Sequence, residues 1–514
     1  MRVVFRTDAS QDIGSGHVMR CLTLAHALQG QGADVLFICR THPGNLITLV
    51  REEGFSCSEL PVQDGWILDP EKHATWLGAP AELDAAHTMA STTSSGIADW
   101  LIVDHYGVGL EWEQWMRPAC RNLMVIDDLA DRAHDCDLLL DQNLADQQAS
   151  RYDRLVADHC VKLLGPRYAL LQTAYADLHR QAAPRHLPAR RVFAYFGATD
   201  SHNFCGRVAQ AFLQVADPEV TLDMVVSPTS PHWPALSGLA RQDARIRLHG
   251  HVPSLAPLLQ SADVAFGAGG ATSWERCCLG VPAYVVTLAD NQLPGSRALA
   301  RQGAIRWLGN AEQVSDAGLR EAMQEALKGE HLSAMSAAAL SLVDGWGSAR
   351  VLAAMAADMT LPFAVRSVEP ADERLTLDWA NDPEVRQSSF SAERIEALTH
   401  HHWLARRMAD TEGCRFYIVE TASGLPAGPV RFERLSPDEW EIHYSMDRCL
   451  RGRGTGTAFL KAALDHFCHA VTSATRIIGR VKPSNQASQH IFRKLGFSQS
   501  ADSHGLRYQL NLQR

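Results

Sequence analysis

Short, continuously apolar runs that close on an aspartate or a glycine recur along this 514-residue chain. Residues 100–104 read WLIVD, residues 123–127 read LMVID, and residues 192–196, VFAYF, run into Gly197. Such runs are typical of parallel strands that are buried on both faces of a sheet. Segments with helical spacing lie between them, so the sequence predicts an α/β architecture built on parallel sheets.

The chain is too long for one hydrophobic core, and domain-size limits indicate about three globular units. One strand-and-helix series covers residues 1–180, and a second, over 190–358, follows a polar, proline-containing connector at 180–191. Residues 359–363, MTLPF, have linker character, and the pattern over 363–514 changes to period-two strands around a glycine-rich turn. We therefore expect two Rossmann-like lobes, which bind ligands at the carboxyl ends of their strands, and a smaller α+β domain.

Composition limits the partners of this chain. Its net charge is −10 and no domain or stripe is basic, so nucleic acid is not an expected partner. No apolar stretch has the length of a signal-peptide core or a bilayer span, so we expect a cytoplasmic protein without membrane contact. The 12 cysteines are scattered without a C-x-x-C pair, and neither a metal site nor a disulfide framework is expected. The oligomeric state stays unknown from sequence.

A glycine-containing turn lies between the first predicted strand and the helix predicted at 17–30. It consists of Gly14, Ser15 and Gly16 and is followed by His17. Glycines let the backbone approach a ligand closely, and a helix N-terminus offers free N–H groups to an anion. A histidine here can take a proton from water near neutral pH. The pattern equally fits a histidine that only caps the helix.

A second glycine loop, GAGGATSWE at 267–275, directly follows the strand predicted at 263–266. Glycines at the start of a helix, here Gly269 and Gly270, can cradle a diphosphate. Glu275 lies about one helical turn past the loop, where a carboxylate can accept hydrogen bonds from two ribose hydroxyls. A tight turn with a solvated glutamate is the alternative interpretation.

In order and context, these elements resemble the UDP-sugar hydrolases of pseudaminic acid biosynthesis, which belong to the glycosyltransferase-B fold group. The resemblance covers roughly residues 1–350. It rests on residues 6–8, 13–22, 103–107, 127–128 and 267–275 and on Asp290-Asn291-Gln292. It implies that water displaces UDP from UDP-2,4-diacetamido-2,4,6-trideoxy-L-altrose, with His17 as the base and no metal. The substrate-binding residues that it implies are Gly14, Ser15, Gly16, Asp104, Tyr106, Gly269, Gly270, Thr272, Glu275 and Asn291.

The last part of the chain carries a different pair of motifs. Residues 451–456, RGRGTG, lie between a strand and a helix, where free backbone N–H groups suit the pyrophosphate of coenzyme A. Alone, this run fits a solvent-facing basic turn equally well. Together with 483–497, PSNQASQHIFRKLGF, it resembles the GCN5-related N-acetyltransferase family over roughly 363–512. The resemblance implies acetyl-CoA as co-substrate, bound by Met446, Arg451, Arg453, Gly454, Thr455, Gly456, Asn485, Ser488 and Phe492.

Both proton transfers of such a reaction need assignment. Many members of that family carry a tyrosine at the position of Phe492, where its hydroxyl protonates the leaving thiolate. Phenylalanine cannot do so; Ser488, a water or another tyrosine must replace it, or the step needs no dedicated acid. The attacking amine must lose a proton. On the strand at 439–446, Glu441 is the candidate base and His443 the second, and a solvated strand face is the alternative.

Joined in one chain, the two resemblances predict consecutive steps. The first acetylates the 4-amino group of UDP-4-amino-4,6-dideoxy-N-acetyl-altrosamine, and the second hydrolyses the diacetamido product to free sugar and UDP. The expected partners are these small-molecule UDP-sugars and acetyl-CoA. Two alternatives stay open: a glycosyltransferase that uses a UDP-sugar donor and is fused to an acetyltransferase, and a non-catalytic nucleotide-sugar sensor.

Overall fold

The computed structural model describes residues 1–185, 188–356, 363–502 and 505–512. The chain divides into two compact units, Met1–Leu352 and Ala353–Arg514. Most of the predicted linker, at 359–362, lies outside the described residues, as do two residues of the predicted connector, 186–187. No helix among the described residues has the length and apolarity that a bilayer crossing requires.

The first lobe of the first unit is a seven-stranded parallel sheet with helices on both faces. Its elements are β1 (Arg2–Thr7), α1 (Gly16–Gln29), β2 (Asp34–Arg40), α2 (Ile47–Glu52), β3 (Ser56–Leu60), α3 (Ala81–Thr93), β4 (Ala98–Asp104), α4 (Leu110–Met116), β5 (Cys120–Ile126), β6 (Leu138–Asp141), β7 (Val161–Leu164) and α5 (Ala174–Gln181). The strand order is β3-β2-β1-β4-β5-β6-β7. This order reverses between β1 and β4, so the ligand crevice lies at the carboxyl ends of those two strands.

The second lobe is a six-stranded parallel sheet in the order β10-β9-β8-β11-β12-β13. Its elements are β8 (Arg191–Tyr195), α6 (Phe204–Val215), β9 (Thr221–Val225), α7 (Trp233–Gln242), β10 (Ile246–His249), α8 (Ala256–Ser261), β11 (Val264–Ala268), α9 (Thr272–Cys278), β12 (Ala283–Thr287), α10 (Leu293–Arg301), β13 (Ile305–Asn310), α11 (Asp316–Lys328), α12 (Leu332–Leu340) and α13 (Gly347–Met355). Here the order reverses between β8 and β11. The predicted fold class, two Rossmann-like lobes, is confirmed by these two topologies.

The helical stretch predicted at 332–358 is interrupted. Its described part forms α12 and α13, separated by a turn in which Gly345 has a φ of 82°. A left-handed residue cannot continue an α-helix, which explains the break. After the turn, α13 packs on the chain that leaves the first sheet: a Cβ on Gly347 would lie 2.1 Å from the Ala169 carbonyl oxygen.

The second unit is a mixed α+β fold around a seven-stranded sheet. Its elements are β14 (Phe363–Ser367), α14 (Glu373–Ala380), α15 (Pro383–Ser388), α16 (Ala397–Ala409), β15 (Cys414–Thr421), β16 (Pro426–Arg434), β17 (Glu439–Tyr444), α17 (Gly456–Ala470), β18 (Arg476–Val481), α18 (Gln486–Lys494), β19 (Ser498–Asp502) and β20 (Gly505–Asn511). The strand order is β14-β15-β16-β17-β18-β20-β19. All neighbours are antiparallel except β17 and β18, which are parallel and pair only through Glu439–Glu441 and Arg476–Ile478. Beyond these residues the two strands part.

Candidate active sites

His17 and Asp104 meet where the strand order of the first sheet reverses. Asp104 is the last residue of β4, and its neighbour in register is Thr7, the last residue of β1. His17 lies in the first turn of α1, directly after the exposed turn 14–16. Its Nδ1 is 2.6 Å from Asp104 Oδ1. Two residues that the sequence singled out separately are therefore in direct contact.

Arg20, one turn further along α1, forms an ion pair with the same carboxylate. Its Nε lies 2.5 Å from Asp104 Oδ2 and its Nη2 2.6 Å from Oδ1. Burial alone would raise the pKa of Asp104, but the Arg20 guanidinium and His17 outweigh it and hold that pKa well below its usual range. An ionised Asp104 accepts the Nδ1–H of His17, which fixes the tautomer with Nε2 as the basic atom. That Nε2 makes no hydrogen bond within the described residues, so it can take a proton from water.

An aromatic wall holds the His17 ring in place. The Tyr106 ring stands edge-on to it with centroids 4.5 Å apart, and the Tyr106 hydroxyl donates to Asp128. Trp76 and His73 extend the wall: the Trp76 ring lies 5.5 Å from that of Tyr106 and 4.7 Å from that of His73. With its ring fixed on one side and its Nδ1 on the other, His17 has one orientation available.

Sequence reasoning gave no role to Arg20, Asp128, His73 or Trp76. Arg20 follows His17 by three residues, a spacing that places both on one helix face, so a signal existed. Asp128 stands two residues past β5, at the same edge of the sheet as Asp104. His73 and Trp76 lie in a short 3₁₀ helix, His73–Leu77, inside a loop that shows no motif.

The glycine loop 267–271 lies at the second reversal point, between β11 and α9. The Gly269 N–H is donated to the Val286 carbonyl at 3.2 Å, so it extends the β11–β12 ladder and is not available to a ligand. The amides of 270–272 make no hydrogen bond in the described part of the chain. Those three amides, rather than that of Gly269, are the donors that this loop offers to an anion.

The start of α10 packs against the same loop. A Cβ on Gly269 would lie 2.3 Å from Ser296 Oγ, so a larger residue here would displace that hydroxyl. The Ser296 hydroxyl is buried and makes no hydrogen bond with the described residues. Gln292 Oε1 accepts from the Leu288 N–H at 3.0 Å, while Asn291, the predicted ligand contact, is exposed in the turn before α10.

Arg276 places a buried positive charge under the glycine loop. Its Nη2 donates to the Ala268 carbonyl at 2.7 Å and to Ser273 Oγ at 2.9 Å, and its side chain reaches this position because Gly267 lacks a Cβ. Burial lowers the pKa of Arg276 to about 10, so it stays charged at neutral pH. No carboxylate among the described residues forms an ion pair with it, and the loop above it is therefore a favourable place for an anion.

Glu275 is half-buried and tied to the segment between the lobes. Its Oε1 accepts a hydrogen bond from the Tyr175 hydroxyl at 2.6 Å. Burial raises the pKa of Glu275 above its usual value. Its Oε2 makes no hydrogen bond with any described residue, so one carboxylate oxygen stays available for ligand hydroxyls. No hydrogen bond or ion pair within the described chain joins this loop to His17, Asp104 or Arg20.

In the second unit, the predicted pyrophosphate loop 451–456 joins the end of β17 to α17. Gly452 and Gly454 have φ angles of 75° and 74°, and no amide of 452–456 makes a hydrogen bond within the described residues. Such a run of free N–H groups fits a pyrophosphate. Arg453 donates to the Ala353 carbonyl at 2.6 Å, and Thr455 donates to that of Leu450 at 3.2 Å.

Arg451, the first residue of this loop, bonds to residues outside it. Its Nη1 pairs with Asp382 Oδ1 at 2.8 Å and with Glu384 Oε2 at 3.0 Å, and its Nε donates to the Met446 carbonyl at 2.8 Å. The predicted direct contact of Arg451 with the cofactor stays a prediction. In the structure its side chain links the start of α15 to Met446, two residues past the end of β17.

Other predicted cofactor residues surround the place where β17 and β18 part. Asn485 caps α18, because its Oδ1 accepts from the Ser488 N–H at 3.0 Å. Phe492 is buried with its ring against Gly479 of β18: a Cβ there would lie 2.5 Å from the Phe492 Cζ. Phe492 therefore packs on β18 just beyond its last pair with β17, at the place where the two strands part.

Glu441, the first candidate base, is buried on the face of the sheet opposite to that of Tyr444. Arg480 Nη1 lies 3.1 Å from each of its carboxylate oxygens. Arg480 therefore already engages both oxygens of this candidate base.

His443, the second candidate, is half-exposed and surrounded by charge. Glu433 Oε1 lies 2.9 Å from Arg407 Nη2 and 2.8 Å from Arg431 Nε, and Glu433 Oε2 lies 3.8 Å from His443 Nε2. Burial and the charges of Arg431, Arg407 and Arg480 lower the pKa of His443 to about 4. Its imidazole is therefore neutral at pH 7 and can accept a proton.

The fold and these sites define a chain with a two-lobed α/β unit and an acetyltransferase domain. Residues 363–498 match the family model of the acetyltransferase (GNAT) domain, which confirms the predicted domain and acetyl-CoA as its co-substrate. Among the described residues, no group of three or more His, Cys, Asp or Glu side chains is arranged to hold a metal ion.

Comparison with known proteins extends this result. Over 303 residues the chain is 23% identical to the UDP-2,4-diacetamido-2,4,6-trideoxy-beta-L-altropyranose hydrolase of Campylobacter jejuni, covering 59% of this chain and 97% of that protein. It is 28% identical over 191 residues to the spore coat polysaccharide biosynthesis protein SpsG of Bacillus subtilis, covering 37% of this chain and 56% of that protein. The crystal structure of Acinetobacter baumannii MurG has a TM-score of 0.48 and 17% identity, covering 69% of this chain and 99% of that one.

Proposed function

We propose that this chain catalyses two consecutive reactions on a nucleotide sugar. The acetyltransferase domain acetylates the 4-amino group of UDP-4-amino-4,6-dideoxy-N-acetyl-altrosamine. The first unit then hydrolyses UDP-2,4-diacetamido-2,4,6-trideoxy-L-altrose to free sugar and UDP. The observation that carries the hydrolase assignment is the oriented pair of His17 and Asp104 beside the turn 14–16.

In the hydrolysis, each part of the site has a task. His17 Nε2 takes a proton from the attacking water, and the ionised Asp104 stabilises the imidazolium that forms. Water displaces UDP from the sugar, and negative charge develops on the leaving diphosphate. The amides of 270–272 and the buried charge of Arg276 stabilise that charge. Glu275 holds the ribose through its oxygen that is not bonded to Tyr175.

In the acetyl transfer, the geometry favours His443 over Glu441 as the base. His443 Nε2 makes no hydrogen bond with the described residues, whereas both oxygens of the Glu441 carboxylate lie 3.1 Å from Arg480 Nη1. The guanidinium groups around His443 outnumber the nearby carboxylates, which suits an acceptor that carries a diphosphate.

The test of this proposal is mass spectrometry of the products made by the purified full-length protein. With acetyl-CoA and the UDP-4-amino-sugar, and with no added alcohol, the expected products are free diacetamido sugar, UDP and coenzyme A. Sugar release that requires an added acceptor would instead establish a glycosyltransferase. Binding of the nucleotide sugar without turnover would establish a sensor.

Replacing Glu275 with alanine is expected to weaken UDP binding by about ten- to a hundredfold, because hydrogen bonds to a charged group contribute about 1.5–3 kcal/mol. Calorimetry with UDP measures this directly. Tyr175→Phe is the matched control: it keeps the carboxylate and removes only its hydrogen-bond partner, so its effect on affinity should be smaller. Acetyl transfer should not change in either variant. An unchanged UDP affinity in Glu275→Ala would contradict the nucleotide site.

Replacing His443 with glutamine is expected to lower kcat for acetyl transfer by about a hundredfold, the low end for a general base, because its lowered pKa makes it a weak base. Glu441→Gln should cost less, since that carboxylate is already paired with Arg480. Release of the coenzyme A thiol in the presence of the amino-sugar measures both rates. A larger loss in Glu441→Gln than in His443→Gln would return the role of base to Glu441.

A further inference from the structure

The place where β17 and β18 part is lined by two aromatic rings. Tyr444 is the last residue of β17, and Gly479 is the first residue of β18 beyond its pairs with β17. The ring of Phe492 reaches the Gly479 backbone from α18. Tyr444 stands edge-on to that ring, with centroids 5.8 Å apart and planes at 85°. The tyrosine therefore borders the same gap as Phe492, but from the neighbouring strand.

The Tyr444 hydroxyl is a buried donor that has no acceptor of hydrogen-bonding geometry among the described residues. Burial raises the pKa of Tyr444 to about 12, and the nearby Ser488 hydroxyl acts in the opposite direction. The phenol is therefore protonated at neutral pH. Buried hydroxyls normally find a partner, so an unmet donor where two strands part indicates that a ligand supplies the acceptor.

A second tyrosine next to Phe492 does not share this property. The Tyr508 ring stacks on Phe492 with centroids 5.3 Å apart, but its hydroxyl donates to Gln499 Oε1 at 2.9 Å. Its proton already has an acceptor. Of the two tyrosines whose rings contact Phe492, Tyr444 alone combines a hydroxyl without an acceptor with a position on β17.

We propose that Tyr444 is the general acid of acetyl transfer, in the role that a tyrosine at position 492 would otherwise fill. The amine nitrogen bonds to the thioester carbonyl carbon, and the carbon–sulfur bond breaks with its electron pair going to sulfur. The Tyr444 hydroxyl gives its proton to that sulfur. The tyrosinate regains a proton from solvent, which receives the one lost by the amine. The products are the amide and the coenzyme A thiol.

The first test uses the full chain, acetyl-CoA and the amino-sugar acceptor, and so rests on the proposed function. Tyr444→Phe should lower kcat by about tenfold or more while leaving the KM for acetyl-CoA unchanged; the loss is at the low end for a general acid because a thiolate leaves readily. Adding Phe492→Tyr to this variant should restore kcat. Tyr508→Phe is the matched control, because that hydroxyl already donates to Gln499, and it should keep most activity. Parent-like kcat in Tyr444→Phe would overturn the assignment.

The second test needs no acceptor. Calorimetry compares coenzyme A with desulfo-coenzyme A, which lacks the sulfur. The parent protein should bind coenzyme A several-fold more tightly, and Tyr444→Phe should bind both equally. A preference for the sulfur that survives in Tyr444→Phe would refute the contact. If the parent protein fails to acetylate the amino-sugar but shows the Tyr444-dependent preference, the proposed acceptor is wrong and the contact of Tyr444 with the sulfur stands.

Discussion

Replacing His17 with alanine should lower the rate of UDP release by about two to four orders of magnitude, the contribution typical of a general base. Binding of the UDP-sugar should be largely unchanged, because the turn 14–16 and the loop 267–271 remain. Asp104 holds Nδ1 of His17, so only Nε2 can accept the proton of water. Single-turnover release of UDP separates this step from binding.

His73→Ala is the matched control for this experiment. His73 belongs to the same aromatic wall and its ring lies 5.1 Å from that of Tyr106, but no carboxylate orients it. Its removal should cost much less than that of His17. Near-parent hydrolysis by the His17 variant would show that another group activates the water.

Replacing Asp104 with asparagine should lower both the rate of hydrolysis and the free energy of unfolding. An amide no longer fixes the His17 tautomer, so hydrolysis should fall by about two to four orders of magnitude. Arg20 would be left as a buried charge with a weaker partner, Asp128 at 3.1 Å. Breaking a buried ion pair on one side costs about 3–5 kcal/mol, which urea denaturation can measure.

The pH dependence of stability adds a check with a defined sign. Because the folded pKa of Asp104 lies below its unfolded value of about 3.9, its stabilisation is complete above that pH and is lost as the pH falls. Asp104→Asn should therefore flatten the acid side of the stability curve. Asp104→Asn combined with Arg20→Met should regain stability without regaining hydrolysis. Full activity in either protein would exclude Asp104 from the mechanism.

Parallel sheets and their ligand edges could be predicted because one local signal encodes them. The run WLIV at 100–103 is apolar at every position, which is typical of a strand covered on both faces, and the Asp104 that closes it marks the edge where ligands bind. His17 lies at the same edge of the sheet, because the turn before it follows the carboxyl end of the first strand. Strand-end rules therefore identified both His17 and Asp104, although neither motif indicated their contact.

What could not be predicted depends on register and on partners distant in sequence. The Gly269 N–H is used by Val286 because the β11–β12 ladder continues one residue further than the glycine motif indicates. Arg451 forms ion pairs with two acidic residues that lie 67 and 69 positions away in the chain, and no local pattern reveals such pairs. Tyr444 became a candidate acid only when the parting of β17 and β18 placed it beside Phe492.

The contact between His17 and Asp104 also has a consequence for the kinetics of folding. His17 and Asp104 are 87 residues apart in the chain, and they meet only when β1 and β4 are paired at the centre of the sheet. Closing a loop of that size comes late in folding relative to local helices. Under the proposed function, a partly folded chain without the β1–β4 pair lacks the base for hydrolysis. The recovery of hydrolysis during refolding would therefore report when the centre of the sheet is complete.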